Sequence, residues 1–388
     1  MKKNLWIFAA AAVALAACSN DDTINFRTIV EGLTRASSTS DVTTENISSF
    51  NVTAFRHGES TDSYIDDAAY TKSSGTFTCT TKYYWPSSGT LDFYAYSVNS
   101  AVASQVAKHA YNSFTFTPAT AANSTYADLV FATKQDIGKS GTYTNTNSLT
   151  ASYGADGVPL NFRHTASKIA IQVVNNSSTM KFSVDGWKVG YLDGQGTFTL
   201  SETSTEGTGT LAFSDWTDNT EEEEKSADTQ YSSTFDAIAI AAGASVTPLS
   251  GEFILVPQRI TAATAYANSG TPAANDKVNG AFIAVKLKIM NNDTNSTVIV
   301  DDGTEDHGTV WAIWPIGDDG TATFNREPGK RYTYTVDLAG GGYYEQNKDT
   351  DADLDKLLDS AEIKFVEVTV DTWADQTAID VPATVPAP

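Results

Sequence analysis

The sequence predicts an all-β protein of two tandem antiparallel β-sandwich domains, and three observations carry that prediction. Short stretches alternate apolar and polar residues with a period of two, as in Phe50-Asn51-Val52-Thr53-Ala54-Phe55 and Leu91-Asp92-Phe93-Tyr94-Ala95-Tyr96, so each can bury one face of an extended chain. Turn residues punctuate them at Ser87-Ser88-Gly89, Asp193-Gly194-Gln195-Gly196 and Asn291-Asn292-Asp293. A chain of 388 residues is long enough for two ordinary domains, each with its own core.

The chain opens on Met1-Lys2-Lys3, a positive stretch, followed by an apolar run from Leu5 to Leu15 that is too short for a permanent membrane helix. Leu15-Ala16-Ala17 then places small residues before Cys18. Small residues let a signal peptidase approach the backbone closely, and a cysteine directly after the cut is the pattern of a bacterial lipoprotein. Residues 1–18 are therefore expected to be a signal ending at Cys18, whose thiol carries a diacylglycerol (palmitate-type) anchor. Membrane attachment is expected through that lipid alone.

Residues 19–35 form a polar pro-segment. Ser19-Asn20-Asp21-Asp22 reads as a solvated tether. Beyond it Ile24, Phe26, Thr28 and Val30 fall on one face of a strand, while Thr34-Arg35-Ala36 offers an arginine in a polar setting. Arg27 lies inside the strand and is the poorer cleavage position. The alternative for this stretch is a tether with chance alternation.

From residue 36 the strands continue, and the polar stretch from Lys139 to Gly157 is expected to be a linker or long loop. It sets a boundary between an N-terminal domain, 36–160, and a C-terminal domain, 161–388. Strand-like runs recur at Lys168–Val173, Thr197–Leu200, Phe253–Val256, Ala281–Met290, Arg331–Leu338 and Ile363–Val370. Helical periodicity is scarce, with short helices expected at Ala101–His109 and Asp353–Ser360. Glu221–Glu224 is a like-charge run expected in a solvated loop. Of the two cysteines, Cys79 sits in an alternating run and is expected to pack as a small apolar side chain.

The net charge of −22, from 47 acidic and 25 basic residues, argues against binding nucleic acid or anionic lipid through the bulk field. His57, His109, His164 and His307 show no zinc-helix spacing. No Gly-x-Ser-x-Gly elbow or phosphate-binding loop occurs, so neither an enzyme nor a cofactor is expected. Asp349-Thr350-Asp351-Ala352-Asp353 has alternate carboxylates, but the sixth position from Asp349 is Leu354 and the twelfth Ser360, so the glycine and bidentate glutamate of a calcium loop are missing. That stretch, like Asp301-Asp302-Gly303 with Glu305 and Asp306, is read as acidic surface. Trp85, Trp187, Trp216, Trp311, Trp314 and Trp373 are read as core, with a sugar-stacking platform as the alternative.

Several segments in order resemble the fimbrillin superfamily of Bacteroidetes, the subunits of type V pili. They are Tyr83-Tyr84-Trp85-Pro86 with Leu91–Tyr96, Asp128-Leu129-Val130-Phe131-Ala132, Leu160-Asn161-Phe162-Arg163-His164 through Ile169, Phe253-Ile254-Leu255-Val256-Pro257-Gln258, Gly329–Val336 and Val368–Trp373. The resemblance implies sandwiches of transthyretin-like topology, outer-membrane export as a lipoprotein, trimming by an arginine-specific protease and assembly with other pilin subunits by strand exchange. Carried onto this chain, it makes Arg35 and Ala36 the cleavage pair and Ile24, Phe26, Thr28 and Val30 the removable strand. The last stretch, Ala374–Pro388, is a candidate donor strand weakened by Pro382, Pro386 and Pro388. A stalk, tip, anchor or accessory position all remain open. The alternative function is a surface glycan-binding lipoprotein, and a more distant one a secreted glycoside hydrolase.

Overall fold

The computed structural model describes residues 23–30, 47–74, 76–98, 104–121, 126–139, 142–144, 150–152, 157–200, 215–218, 231–261, 281–301, 305–316, 323–339, 343–344, 365–372 and 379–382. Among them every regular element is a strand. No described helix is long and apolar enough to cross a membrane.

The first sheet has seven strands in the order β1 (Phe26–Val30), β11 (Val158–His164), β8 (Leu129–Ile137), β5 (Leu91–Val98), β2 (Ser49–Arg56), β3 (Ser63–Ser73) and β4 (Thr76–Thr78). It wraps around its own core, so the two ends of the path, β1 and β4, come into contact. Period-two patterning explains this. Phe50, Val52 and Ala54 of β2 and Phe93 and Ala95 of β5 point to the same inner face, and they meet Val158, Leu160 and Phe162 of β11 in one apolar cluster.

The second half builds two facing sheets. One runs β17 (Thr247–Leu255), β12 (Ser167–Val174), β23 (Lys330–Asp337), β25 (Phe365–Thr372) and β26 (Ile379–Pro382). The other runs β16 (Tyr231–Ile240), β13 (Met180–Gly190), β19 (Phe282–Asn291), β21 (Val310–Pro315) and β24 (Tyr343–Tyr344), with β20 (Val298–Val300) paired to β19. Ile169, Ile171 and Val173 of β12 pack across the gap on Phe182, Val184 and Trp187 of β13, the arrangement expected of a sandwich.

A smaller sheet joins the halves. Its strands are β15 (Trp216–Asp218), β14 (Gly196–Thr199), β7 (Ser113–Phe116) and β6 (Val106–Ala110). Phe114 and Phe116 from the first half and Phe198 and Trp216 from the second share a core with Phe55, Tyr94 and Phe131. The expected boundary at residue 160 falls inside β11.

Two local expectations are corrected. Of the helix expected at Ala101–His109, residues 104–109 are described, and 106–109 of these belong to the strand β6 (Val106–Ala110), paired with β7; cross-strand pairing over an aromatic core outweighs a weak local preference. The linker expected between Lys139 and Gly157 contains β9 (Thr142–Thr144) and β10 (Thr150–Ser152), an antiparallel pair, and threonine is a strong strand former. Cys79 is half-buried, unbridged and packed against the first core. Asp353–Ser360, Glu221–Glu224 and Asp349–Asp353 lie outside the described residues.

Candidate functional site

The segment 23–30 changes partner halfway. At its start Thr23 and Tyr84 form an antiparallel bridge, and the Ile24 amide donates to the Tyr83 carbonyl at 2.9 Å. One residue later the Asn25 carbonyl accepts the Val158 amide at 2.8 Å. From Phe26 onward the strand runs parallel to β11, with Phe26 opposite Val158 and Val30 opposite Phe162. The segment therefore joins the β11 edge of the first sheet to the Tyr83–Tyr84 backbone in the connection between β4 and β5.

Its apolar side chains reach the core. Ile24 is 1% and Phe26 6% exposed, and both belong to the first cluster. The Phe26 ring stands edge-on to Tyr70 at 4.8 Å, to Phe93 at 5.4 Å and to Phe50 at 6.1 Å between centroids, the orientation that ring quadrupoles favour. Burial pushes the Tyr70 hydroxyl well above its ordinary range, helped by the nearby Cys79 and Tyr83. Thr28 is half-buried. The Val30 side chain, Cys18, Arg35 and Ala36 lie outside the described residues.

Sequence reading overlooked Gly157, which closes the groove on the β11 side. It holds φ at +77°, and a Cβ there would meet the Asn25 carbonyl oxygen at 2.9 Å and the Phe26 nitrogen at 3.1 Å. The only sequence signal was a glycine directly ahead of an apolar run. The Phe50–Tyr70–Phe93 socket was also missed, since its members sit in three different strands.

The other candidates are accounted for. The five described tryptophans, Trp85, Trp187, Trp216, Trp311 and Trp314, are all buried. The Trp187 and Trp216 indoles donate to the carbonyls of Ser250 and Thr165. His57 bonds Asp92 at 2.9 Å, His164 bonds Asp128 at 2.8 Å, His307 bonds Asp301, and His109 bonds Thr115 at 2.7 Å. Among the described residues no three His, Cys, Asp or Glu side chains gather as a metal site would require. At the other end of the chain, Ile379–Pro382 is paired antiparallel with β25.

The family model for fimbrillin-like proteins matches residues 34–373. Among solved structures, a fimbrial protein from Bacteroides vulgatus is 14% identical, with 84% of this chain and 100% of that chain covered and a TM-score of 0.44. The tip fimbrial protein Mfa3 from Porphyromonas gingivalis, with C-terminal truncation, is 10% identical, with 84% and 94% covered and a TM-score of 0.32. No curated protein matches the sequence. The match across residues 34–373 places this chain in the fimbrillin-like family, whose members are non-enzymatic subunits of cell-surface fimbriae.

Proposed function

We propose that this protein is a pilus subunit exported as a lipoprotein through Cys18, trimmed between Arg35 and Ala36, and joined to other pilin subunits by strand exchange, with a role in adhesion. The observation that carries the reading is the placement of residues 23–30. They complete the first sheet yet lie upstream of Arg35, so one cut separates them covalently from the sheet they fill. Their removal would expose the β11 edge, the Tyr83–Tyr84 backbone and the socket around Phe26. Unpaired backbone over an apolar groove is the condition for strand addition. Contacts of that kind are heterologous and need not close, so filaments are the expected product.

Burial of the described tryptophans removes support for a stacking platform built on them. Treatment with an arginine-specific protease followed by mass spectrometry tests the reading. A species beginning at Ala36, with a lower melting temperature than the uncut chain, is expected. Resistance at Arg35, or cleavage with an unchanged melt, would count against it.

A further inference from the structure

We propose that the groove occupied by residues 23–30 selects a strand carrying an aromatic side chain two residues after a large aliphatic one, and so refuses residues 374–388 of a second copy. This rests on the trimming reading above and names the side-chain pattern of the strand that the same groove would accept.

The register of the occupant is pinned at two adjacent points. The Ile24 amide is held by the Tyr83 carbonyl, and the Asn25 carbonyl by the Val158 amide. Gly157 lets the backbone of Asn25 and Phe26 pass within van der Waals reach. A strand making those two bonds has its side chains delivered to fixed places, one at the Ile24 position and one at the Phe26 position.

The Phe26 position is a built socket. Phe50, Tyr70 and Phe93 belong to three inner strands, β2, β3 and β5. Each has other partners. Phe50 stacks on Tyr70 at 5.7 Å and tilts against Phe77 and Phe162, while Phe93 meets Trp85 at 6.0 Å. A wall held on its far side relaxes little when its occupant shrinks, so a smaller side chain leaves a void there.

Residues 374–388 fill this socket badly in any register. Ala374-Asp375-Gln376-Thr377-Ala378-Ile379-Asp380-Val381-Pro382-Ala383-Thr384-Val385-Pro386-Ala387-Pro388 contains no aromatic residue and three prolines. Its best alignment sets Ile379 at the Ile24 position and Val381 at the Phe26 position. That alignment puts Pro382 next in line, where a ladder donor is lost. Those same four residues, Ile379–Pro382, are already paired with β25 in their own chain.

The test uses full-length protein nicked at Arg35 and four fluorescein-labelled peptides. One copies residues 22–33, one copies the same stretch with Phe26→Val, and one copies residues 374–388. Uptake is followed by anisotropy under excess peptide. The 22–33 peptide should exchange into the groove. The Phe26→Val peptide should bind at least tenfold more weakly, and the 374–388 peptide should show no uptake where the first saturates. A fourth peptide, 374–388 with Val381→Phe, should regain measurable binding. Equal uptake of the unmodified 374–388 and 22–33 peptides would overturn the proposal, as would equal uptake with and without Phe26→Val. If even the 22–33 peptide is refused, the trimming reading fails, and the selectivity falls with it.

Discussion

Gly157 lies against the backbone of Asn25 so closely that a single added carbon would sit 2.9 Å from the Asn25 carbonyl oxygen. Gly157 is also at φ +77°, where a side chain costs about 1–2 kcal/mol. Both effects act in the uncut chain, but only the backbone strain remains once residues 23–30 are gone. Gly157→Ala should therefore lower the melting temperature of the uncut protein more than that of protein trimmed at Arg35. Matched thermal melts of the four species check this, and an equal loss in both forms would show that Gly157 does not govern docking of the strand.

Cys18 should carry the membrane anchor. Leu15-Ala16-Ala17-Cys18 motivates the expectation. With Cys18→Ala, metabolic labelling by an alkyne palmitate analogue should vanish and the protein should leave the membrane fraction. Persistent labelling of the variant would rule the anchor out.

Alkaline pH should weaken the fold through its buried tyrosines. Burial, reinforced by the Asp67 carboxylate, pushes Tyr96 from its ordinary 10.0 up to about 12. Tyr70 is shifted in the same direction, by burial first. A group with a raised folded pKa holds its proton more tightly when folded. Its stabilisation is therefore complete below pH 10 and is lost as pH rises from 10 towards 12. Denaturant titrations at stepped pH should show stability falling across that window, and Tyr96→Phe should flatten the decline. An unchanged slope in the variant would assign the alkaline loss to other groups.

The two halves should unfold together. Phe198 follows the expected boundary in sequence, yet its ring lies 5.7 Å from Phe131 of the first half and 5.6 Å from Trp216. Phe198→Ala opens a void in that shared core and should cost about 3–5 kcal/mol. Calorimetry should show one transition in the parent protein, displaced as a unit in the variant. Two transitions, with only the later one moved, would show that the halves are energetically independent.

The sequence by itself determined the all-β class, because alternation with a period of two is a local property that any extended apolar face must display. It also singled out Ile24 and Phe26 as a buried face, since spacing alone sets which side chains share a side. Direction and partner are different matters. That β1 runs parallel to β11 while Thr23 and Ile24 lean on Tyr83 and Tyr84 depends on edges contributed more than fifty residues downstream. No local pattern encodes which distant edge is left open. The same holds for β6, whose residues 106–110 lacked a strand signal of their own and became a strand by pairing with β7. The socket around Phe26 likewise exists only after β2, β3 and β5 are brought side by side, because steric fit is a property of assembled walls and not of any single strand.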